Sequence, residues 1–411
     1  MKLLLVSDAF PPSFGGVERH VHTLSKFLNK RGLDITILTE ALNVDDRELF
    51  KSGITIKRGV KFHRRTSALQ WTYQYIQNSK KVKVAINEHG NDYDIVHYHG
   101  THMLYMDKIN VEPPLIATIH GIFPSCIAFW GIEDWCRNNP TPYNCAICML
   151  NIRKSYAPLF PGMLLYNKYY LDRMKKSLKS LDKIISVSDY VKNIVKEVFK
   201  LENITTKYNF IDIKNDLLSR LNPRKKILEY NLDTNKDIIL FSGRLHPQKG
   251  ISTLIESFNK LKKSNVELLI TGQGELESLV KKQSAQNSNI KYLGYLPRDI
   301  QINILSQSRL FVAPSTYPDA CPTAIIEAMA LGIPVVSTYL GGIPELVLDG
   351  ETGYLTEAKN PDSLKMKIIE ILEKDKEYFS ENCKKHARKF DINIIGEEII
   401  RIYKTLIENK S

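Results

Sequence analysis

With 411 residues, 43% of them hydrophobic and 25% charged, the chain has the size and composition of two globular domains of about 200 residues each. The apolar run that opens MKLLLVSDAFPP is too short for a signal peptide, and no run of about 18 apolar residues could cross a membrane. We therefore expect a cytoplasmic protein. Six cysteines in a chain of this length argue against a disulfide-stabilised secreted scaffold.

The net charge of +12 is concentrated in the first half of the chain. Residues 1–200 carry 28 lysines and arginines against 18 acids, whereas residues 201–411 carry 29 against 27. The basic clusters Lys57–Arg65 and Arg173–Lys179, with the aromatic and proline-rich stretch Lys154–Tyr170, favour contact with an anionic membrane or a lipid-linked phosphate. A solvated basic face is the alternative. Because no helix-turn-helix, zinc-finger or RNP-like pattern occurs, nucleic acid is not expected as a partner.

The chain begins with a strand, a glycine turn and a helix. Lys2–Val6 predicts a buried strand, Val17–Lys30 a helix and Asp34–Leu38 the next strand, which together form a βαβ unit of a parallel sheet. Gly15 and Gly16 lie in the turn. There they allow backbone N–H groups to approach a ligand at the carboxyl end of a strand, where open α/β sheets bind.

Histidines end two further predicted strands, Asp94–His97 and Leu115–His120. His120 is followed by glycine and points toward the same crevice as the first glycine turn, so we interpret it as functional. His97 and His99 are interpreted as strand-end packing. The first helix carries four polar residues, and for most of them a surface position is the commoner explanation: Glu18, Arg19, His20 and His22.

Four cysteines follow these strands with the spacing C-x9-C-x8-C-x2-C: Cys126, Cys136, Cys145 and Cys148. The last pair, CAIC, allows two thiolates to bind one metal ion, and four thiolates would form a closed, structural zinc site. The rest of the spacing is looser than that of known zinc motifs. Disulfides and free thiols therefore stay open as alternatives.

The second half of the chain repeats the pattern of strand, turn and helix. Asp237–Ser242 predicts a strand and Ser252–Leu261 a helix, and the segment GRLHPQKG lies between them. Arg244 and Lys249 flank the proline-containing turn in this segment. Two fixed cations at the end of a strand are suited to stabilise the negative charge that grows on a leaving diphosphate.

The stretch Tyr317–Val336, YPDACPTAIIEAMALGIPVV, follows a predicted buried strand at Leu310–Ala313. Pro322 lies where proline is tolerated, in the first turn of a helix that has no lysine or arginine in this turn. The first N–H groups of the helix and the positive end of its dipole therefore predict a seat for a phosphate. These N–H groups belong to Cys321, Thr323 and Ala324.

Two carboxylates belong to this stretch, Asp319 before the helix and Glu327 eight residues later. The neighbours of Glu327 are apolar, and a carboxylate among apolar residues needs hydrogen-bond partners. A pair of vicinal hydroxyls, as on a ribose, would supply them.

These segments resemble a known family. Asp319-x7-Glu327, followed by AMA-x-G-x-PVV and Gly341–Glu345, is similar to the E-x7-E signature of retaining GT-B glycosyltransferases, family 4 in particular. Asp stands at the first position, where Glu is usual. GRLHPQKG resembles the diphosphate-binding loop of the family, and SDAFPPSFGG resembles its first loop. DIVHYHG and ATIHG are also family-like.

The resemblance implies a role for each matching residue. Arg244 and Lys249, with the helix N-terminus, hold the diphosphate of the donor. Glu327 binds the ribose, Asp319 contacts the donor hexose, and His120 contacts the hexose near the reaction centre. The backbone and side chains that are implied to line the substrate are Gly15, Gly16, Gly243, Gly272, Leu296, Cys321, Thr323, Ala324 and Gly342.

The implied architecture is α/β, a GT-B fold of two Rossmann-like α/β/α domains that face a central cleft. We place an acceptor-binding domain at 1–205 with a cysteine-rich insertion at 121–150, a hinge at 206–222, a nucleotide-sugar-binding domain at 223–388, and a C-terminal helix at 389–411 that crosses back to the first domain.

The implied reaction is the retaining transfer of a sugar from a UDP- or GDP-sugar to an acceptor hydroxyl. No cofactor is expected to be required, because Arg and Lys can replace the charge of a metal ion. The basic first domain suits a lipid-linked or cell-surface glycan precursor at the cytosolic face of a membrane. The alternatives are a soluble glucan synthase or phosphorylase-like enzyme of the same fold, and a nucleotide-sugar-binding protein without activity.

Overall fold

The computed structural model describes residues 1–11, 15–42, 53–62, 68–124, 140–152, 154–222, 235–375 and 377–410. It divides into two compact units. Unit 1 comprises Met1–Asn209 with Ile392–Ser411, and unit 2 comprises Phe210–Asp391. The C-terminal helix thus belongs to unit 1. Cys126 and Cys136 lie outside the described residues.

The strands described in unit 1 form one parallel sheet: β1 (Lys2–Ser7), β2 (Asp34–Glu40), β3 (Ile54–Val60), β4 (Ile95–His99), β5 (Leu115–Ile119), β6 (Lys183–Ser186) and β7 (Ile204–Thr206). Their order in the sheet is β3-β2-β1-β4-β5-β6-β7. The central strands are buried along nearly their whole length, as is usual for a parallel sheet with helices on both faces. The helices described in this unit are α1 (Gly16–Lys30), α2 (Ala68–His89), α3 (Pro142–Ile152), α4 (Phe160–Lys179), α5 (Asp189–Phe199) and α13 (Ile392–Glu408).

Unit 2 also contains a parallel sheet, whose described strands are β8 (Asp237–Ser242), β9 (Val266–Thr271), β10 (Ile290–Gly294), β11 (Leu310–Ala313), β12 (Val335–Thr338) and β13 (Gly353–Thr356). Their order is β10-β9-β8-β11-β12-β13. The helices described here are α6 (Ile251–Leu261), α7 (Glu277–Gln286), α8 (Arg298–Gln307), α9 (Thr323–Ala330), α10 (Ile343–Leu346), α11 (Pro361–Leu372) and α12 (Ser380–Ala387).

Both sheets reverse their strand order beside the first strand of the unit. In unit 1 β1 lies between β2 and β4, and in unit 2 β8 lies between β9 and β11. In open α/β sheets, such a reversal leaves a crevice at the carboxyl ends of the strands, where ligands bind. The two segments with predicted function follow these strands: the glycine turn follows β1, and GRLHPQKG follows β8.

The C-terminal helix α13 packs on α1 within unit 1. Gly396 lies so close to Phe27 that a Cβ atom there would be 2.3 Å from the ring, so only glycine permits this approach. Arg31 and Glu397 form an ion pair at the rim. Tyr403 is fully buried, and its hydroxyl lies 2.6 Å from Nδ1 of His97 on β4. None of the helices that the structure describes combines the length and apolarity needed to cross a bilayer.

Candidate active site

The loop that follows β8 is locked to the loop that follows β11. Nζ of Lys249 donates to both carboxylate oxygens of Asp319, at 2.7 and 2.9 Å. Ser315 Oγ donates to the same carboxylate at 2.6 Å, and the backbone N–H of Thr316 donates to the carbonyl of Gln248 at 2.8 Å. Arg244 lies exposed on the first of these loops. Two of the predicted site residues, Lys249 and Asp319, therefore contact each other directly.

Glycines make this close approach possible. Gly250 has a φ of +71°, and a Cβ atom there would lie 1.8 Å from the carbonyl oxygen of Pro314. Gly272 has a φ of +125°, and its Cβ would lie 1.9 Å from the carbonyl oxygen of Gly243. No other residue could occupy either position without moving the backbone. The carboxyl ends of β8, β9 and β11 are thus packed backbone against backbone.

Helix α9 begins at the end of the second loop. Pro322 is its N-cap residue, one position earlier than the first-turn position we predicted, and no side chain caps the helix. The first turn contains no acidic residue. Cys321 is buried just before it, and the N–H of Gly342 donates to the carbonyl of Asp319 at 2.8 Å. The positive end of the helix dipole therefore lies beside the loop that Lys249 holds.

Glu327 is buried in α9 and is paired with an arginine that the sequence did not point to. Oε2 of Glu327 accepts from Nη1 of Arg298 at 2.7 Å, and Nη2 of Arg298 donates to Asp216 at 3.1 Å. Burial works against the charge of Arg298, but Glu327 and Asp216 raise its pKa above the ordinary value. The buried carboxylate of Glu327 therefore already has the guanidinium of Arg298 as a partner, and a ligand would be an additional partner.

Asp216 is itself shared between two arginines. Burial works against its ionised form, but the guanidiniums of Arg298 and Arg220 hold its pKa below the ordinary value. Arg220 also pairs with Asp299 on α8. A chain of alternating charges thus connects residues of the predicted hinge segment, Asp216 and Arg220, to Glu327, and it fixes the direction of that carboxylate.

The predicted histidine of unit 1 lies in a cluster of four. His97 and His99 of β4 are fully buried, His120 follows β5, and His20 comes from α1. Nδ1 of His99 lies 3.4 Å from Nε2 of His120. Burial lowers the pKa of all four imidazoles, to about 4 for His20 and about 3 for His97. The expected surface position of His20 is wrong, because the side chain points from α1 onto the strand ends and is only 5% exposed.

A second, partly buried group, also missed by the sequence analysis, holds the loop after β4. The carboxylate of Asp8 accepts from Tyr98 at 2.5 Å, from the N–H of Thr101 at 2.6 Å and from Nδ1 of His102 at 2.9 Å. Burial works against its ionised form, but His102 and these hydrogen bonds hold the pKa of Asp8 below its ordinary value. One carboxylate oxygen is thus bonded to Tyr98 of β4 and the other to Thr101 and His102 of the loop, so the network ties the loop to the strand.

The glycine turn after β1 leads directly into α1. Gly15 is the N-cap residue of the helix, and its carbonyl accepts from the N–H of Arg19 at 3.2 Å. Gly16 is the first helical residue, and a Cβ atom there would meet nothing within 4 Å. Of the four predicted zinc ligands, Cys145 and Cys148 are described, and both are buried in α3.

Two family models match nearly the whole chain. The model described as Glycosyltransferase Family 4 matches residues 14–215, and the model described as Glycosyl transferases group 1 matches residues 224–390. The chain belongs to glycosyltransferase family 4. The family and the enzyme class predicted from the sequence motifs are confirmed.

Relatives of this glycosyltransferase cover it to different extents. An uncharacterised glycosyltransferase of Methanocaldococcus jannaschii is 25% identical over 421 residues, which is 99% of each chain. The phosphatidyl-myo-inositol mannosyltransferase of Mycobacterium leprae is 27% identical over 178 residues, 42% of this chain and 48% of its own. The match to the first relative extends through both units.

Solved structures share the fold of this glycosyltransferase. The sucrose-phosphate synthase of Thermosynechococcus elongatus has a TM-score of 0.73 at 16% identity and is covered over 99% of both chains. The Anabaena protein HepE, solved in complex with UDP, has a TM-score of 0.69 at 19% identity over 98% of this chain and 100% of its own. The predicted GT-B fold of two Rossmann-like α/β units is confirmed.

Proposed function

We propose that this glycosyltransferase moves a sugar from a UDP- or GDP-sugar to an acceptor hydroxyl and retains the anomeric configuration. The observation that carries the proposal is the contact of Lys249 with Asp319 beside the N-terminus of α9. It gathers a cation, a carboxylate and a set of helix N–H groups at the carboxyl ends of β8 and β11, where a nucleoside diphosphate would bind.

Each residue of this site has a role in the proposed reaction. Arg244, Lys249 and the N–H groups of Thr323 and Ala324 hold the diphosphate and neutralise its growing charge as it leaves. Glu327, fixed by its ion pair, accepts from the ribose hydroxyls. For Asp319 and His120 we retain the hexose contacts that the family implies. HepE, which shares the fold, was solved with UDP and with UDP-glucose, which supports a nucleotide sugar as donor.

The proposed acceptor is a lipid-linked or cell-surface glycan precursor at the cytosolic face of a membrane. The solvent-facing side of helix α4 supports an acceptor at a membrane. Leu165 is 74% exposed on this side, and Tyr169 lies one turn further along the same stripe. Lysines continue the stripe at positions 168, 175, 176 and 179. An apolar patch followed by cations suits the boundary of an anionic bilayer. One relative, the mycobacterial mannosyltransferase, is named for a lipid acceptor.

Donor binding is tested by screening UDP- and GDP-sugars against the purified protein, with thermal stabilisation and nucleotide release as readouts. We expect one donor to stabilise the wild type and to be hydrolysed slowly. Arg244→Ala and Glu327→Ala should lose both effects, whereas the surface variant Lys282→Ala on α7 should keep them. Stabilisation that survives in the first two variants would show that the donor binds elsewhere. The anomeric configuration of the product, read by NMR, tests retention separately.

Membrane contact is tested by sedimentation with vesicles that contain phosphatidylglycerol at low salt. Burying a leucine stabilises binding by about 1.5–3 kcal/mol, so Leu165→Glu should weaken it by at least about tenfold. Met366→Glu is the matched control, because Met366 on α11 of unit 2 is also a large and exposed apolar residue, 59% exposed against 74% for Leu165. Failure of the wild type to sediment, or equal loss in both variants, would argue against a membrane acceptor.

A further inference from the structure

Three of the clustered histidines, His20, His99 and His120, come from different elements of unit 1. Within the sheet, β4 pairs with both β1 and β5, and His99 is the last residue of β4. His120 follows the end of β5, and α1, which carries His20, begins after the glycine turn that follows β1. The order of the strands therefore brings all three imidazoles to the same end of the sheet.

One ring nitrogen of each residue lies within 4.8 Å of the other two. Nδ1 of His99 and Nε2 of His120 are 3.4 Å apart, which is long for a hydrogen bond. Two nitrogens bound to one tetrahedral zinc ion at about 2.0–2.1 Å are about 3.3–3.4 Å apart. This pair is therefore already spaced as two ligands of one ion. The longest separation in the cluster would have to shorten by about 1.5 Å, the size of a side-chain adjustment.

The surroundings of the rings fit metal ligands. Nδ1 of His20 lies 3.0 Å from the amide oxygen of Asn209, which accepts its proton and leaves Nε2 as the nitrogen with the lone pair. Metal-binding histidines have such a partner on the other nitrogen as a rule. His99 is fully buried, and the nitrogen that faces His120, and that an ion would take, is its Nδ1. The 3.4 Å contact between these two rings is long for a hydrogen bond, so a bound ion would replace only a weak interaction.

His97 differs from the other three and serves as an internal comparison. Its Nδ1 is bonded to the hydroxyl of Tyr403 at 2.6 Å, and its Nε2 to Thr118 at 2.8 Å. Both nitrogens are therefore engaged, and the ring packs against that of His99 at 4.0 Å between centroids, with the two planes tilted by 39°. It supports the position of His99 and has no nitrogen left for a metal ion.

We propose that His20, His99 and His120 bind one zinc ion at the carboxyl end of the sheet of unit 1. Three neutral imidazoles are a frequent ligand set for this ion, and they leave a fourth position open to water or to an oxygen of a small ligand. The burial of the rings favours their neutral form, which is the form that binds metal. This site shares no residue with the predicted four-cysteine site.

If the proposed function is right, zinc at this site affects sugar transfer. His120 is the residue to which we assign the contact with the donor hexose, and its Nε2 cannot serve a metal ion and a sugar at once. Zinc is therefore an inhibitor of transfer in this proposal. Metal binding itself does not depend on the reaction, so it can be measured first and without any donor.

The test titrates zinc into chelator-stripped, full-length protein and counts bound ions by elemental analysis. We expect His99→Ala to lose one zinc per chain relative to the wild type. His89→Ala, a half-buried histidine at the end of α2, should lose none. Asn209→Ala should keep the site but weaken it by about 10- to 100-fold, because it removes only the partner of His20. Circular dichroism establishes that each variant is folded.

X-ray absorption at the zinc edge keeps the test valid even where His99→Ala does not fold. In Cys145→Ser/Cys148→Ser protein, we expect a shell of nitrogen at about 2.0–2.1 Å with the scattering pattern of imidazole. A shell of sulfur only, or no zinc in this variant, would overturn the proposal. Histidine-bound zinc without inhibition of transfer would instead leave the metal site standing and contradict the assigned role of His120.

Discussion

Removal of Arg298 should destabilise unit 2 through the carboxylate that it leaves behind. The Glu327 side chain is 4% exposed and that of Arg298 is 19% exposed, so solvent screens their ion pair only weakly. Loss of one partner of such a pair costs about 3–5 kcal/mol. We expect about 3 kcal/mol for Arg298→Met, the lower end of this range, because the arginine is partly exposed and Asp216 keeps Arg220 as a partner.

A second substitution separates the effect of the unpaired Glu327 charge from the effect of the packing lost with Arg298. Glu327→Leu in the Arg298→Met background removes the stranded charge, so we expect the double variant to regain about 2 kcal/mol. Substitutions that do not interact have additive effects within about 0.5 kcal/mol. Additive losses in this double-mutant cycle would refute the reasoning, since they would mean that the two side chains contribute independently.

The measurement must report on unit 2 alone. Hydrogen exchange of the amides in α8 and α9, followed at increasing denaturant, reports the free energy of opening in unit 2. Unchanged exchange of the amides in β1 and β4 of unit 1 is the internal control that the substitutions act locally.

Three further outcomes are expected. Because the pKa of Asp216 is low in the folded protein, its ionised form contributes fully to stability above about pH 4, and this contribution disappears as the pH falls below this value. The stability difference between the wild type and Asp216→Asn should therefore shrink in an acid titration. Gly272→Ala should lower the stability of unit 2 by more than about 2 kcal/mol in the same exchange experiment, because of its positive φ and the carbonyl 1.9 Å from the added Cβ. Asp319→Asn should raise the KM for the donor about tenfold in a nucleotide-release assay, because it removes the charge that positions Lys249.

The short strands of unit 2 could be predicted from the sequence residue by residue. Asp237–Ser242 and Leu310–Ala313 have the predicted bounds, because strands buried on both faces of a parallel sheet are continuous apolar runs that polar or turn-forming residues end. The loops at their ends were also recognisable. Their glycines and prolines are local requirements of the backbone and therefore appear in the sequence itself.

Other elements gave no such local signal. Strand β3 lies at the edge of its sheet and is only partly buried, so its ITIKRGV sequence looked like part of a basic cluster. Arg298 could not be recognised, because its partners Glu327 and Asp216 are 29 and 82 positions away along the chain. The histidine cluster likewise follows from the order of the strands. Only the fold brings α1 next to the ends of β4 and β5.

The presence of Asp rather than Glu at position 319 is connected with its contact to Lys249. Both carboxylate oxygens of Asp319 accept from Nζ, and Ser315 holds one of them from the other side. A glutamate would place its carboxylate about one methylene further out, beyond this arrangement. A lysine has three N–H donors, and both carboxylate oxygens of Asp319 lie within hydrogen-bond distance of its Nζ here. In the proposed reaction, the arriving diphosphate attracts Lys249 and releases Asp319 to accept from a hydroxyl of the sugar. The short side chain thus couples the two events: the same exchange of partners that binds the diphosphate exposes the carboxylate to the hexose.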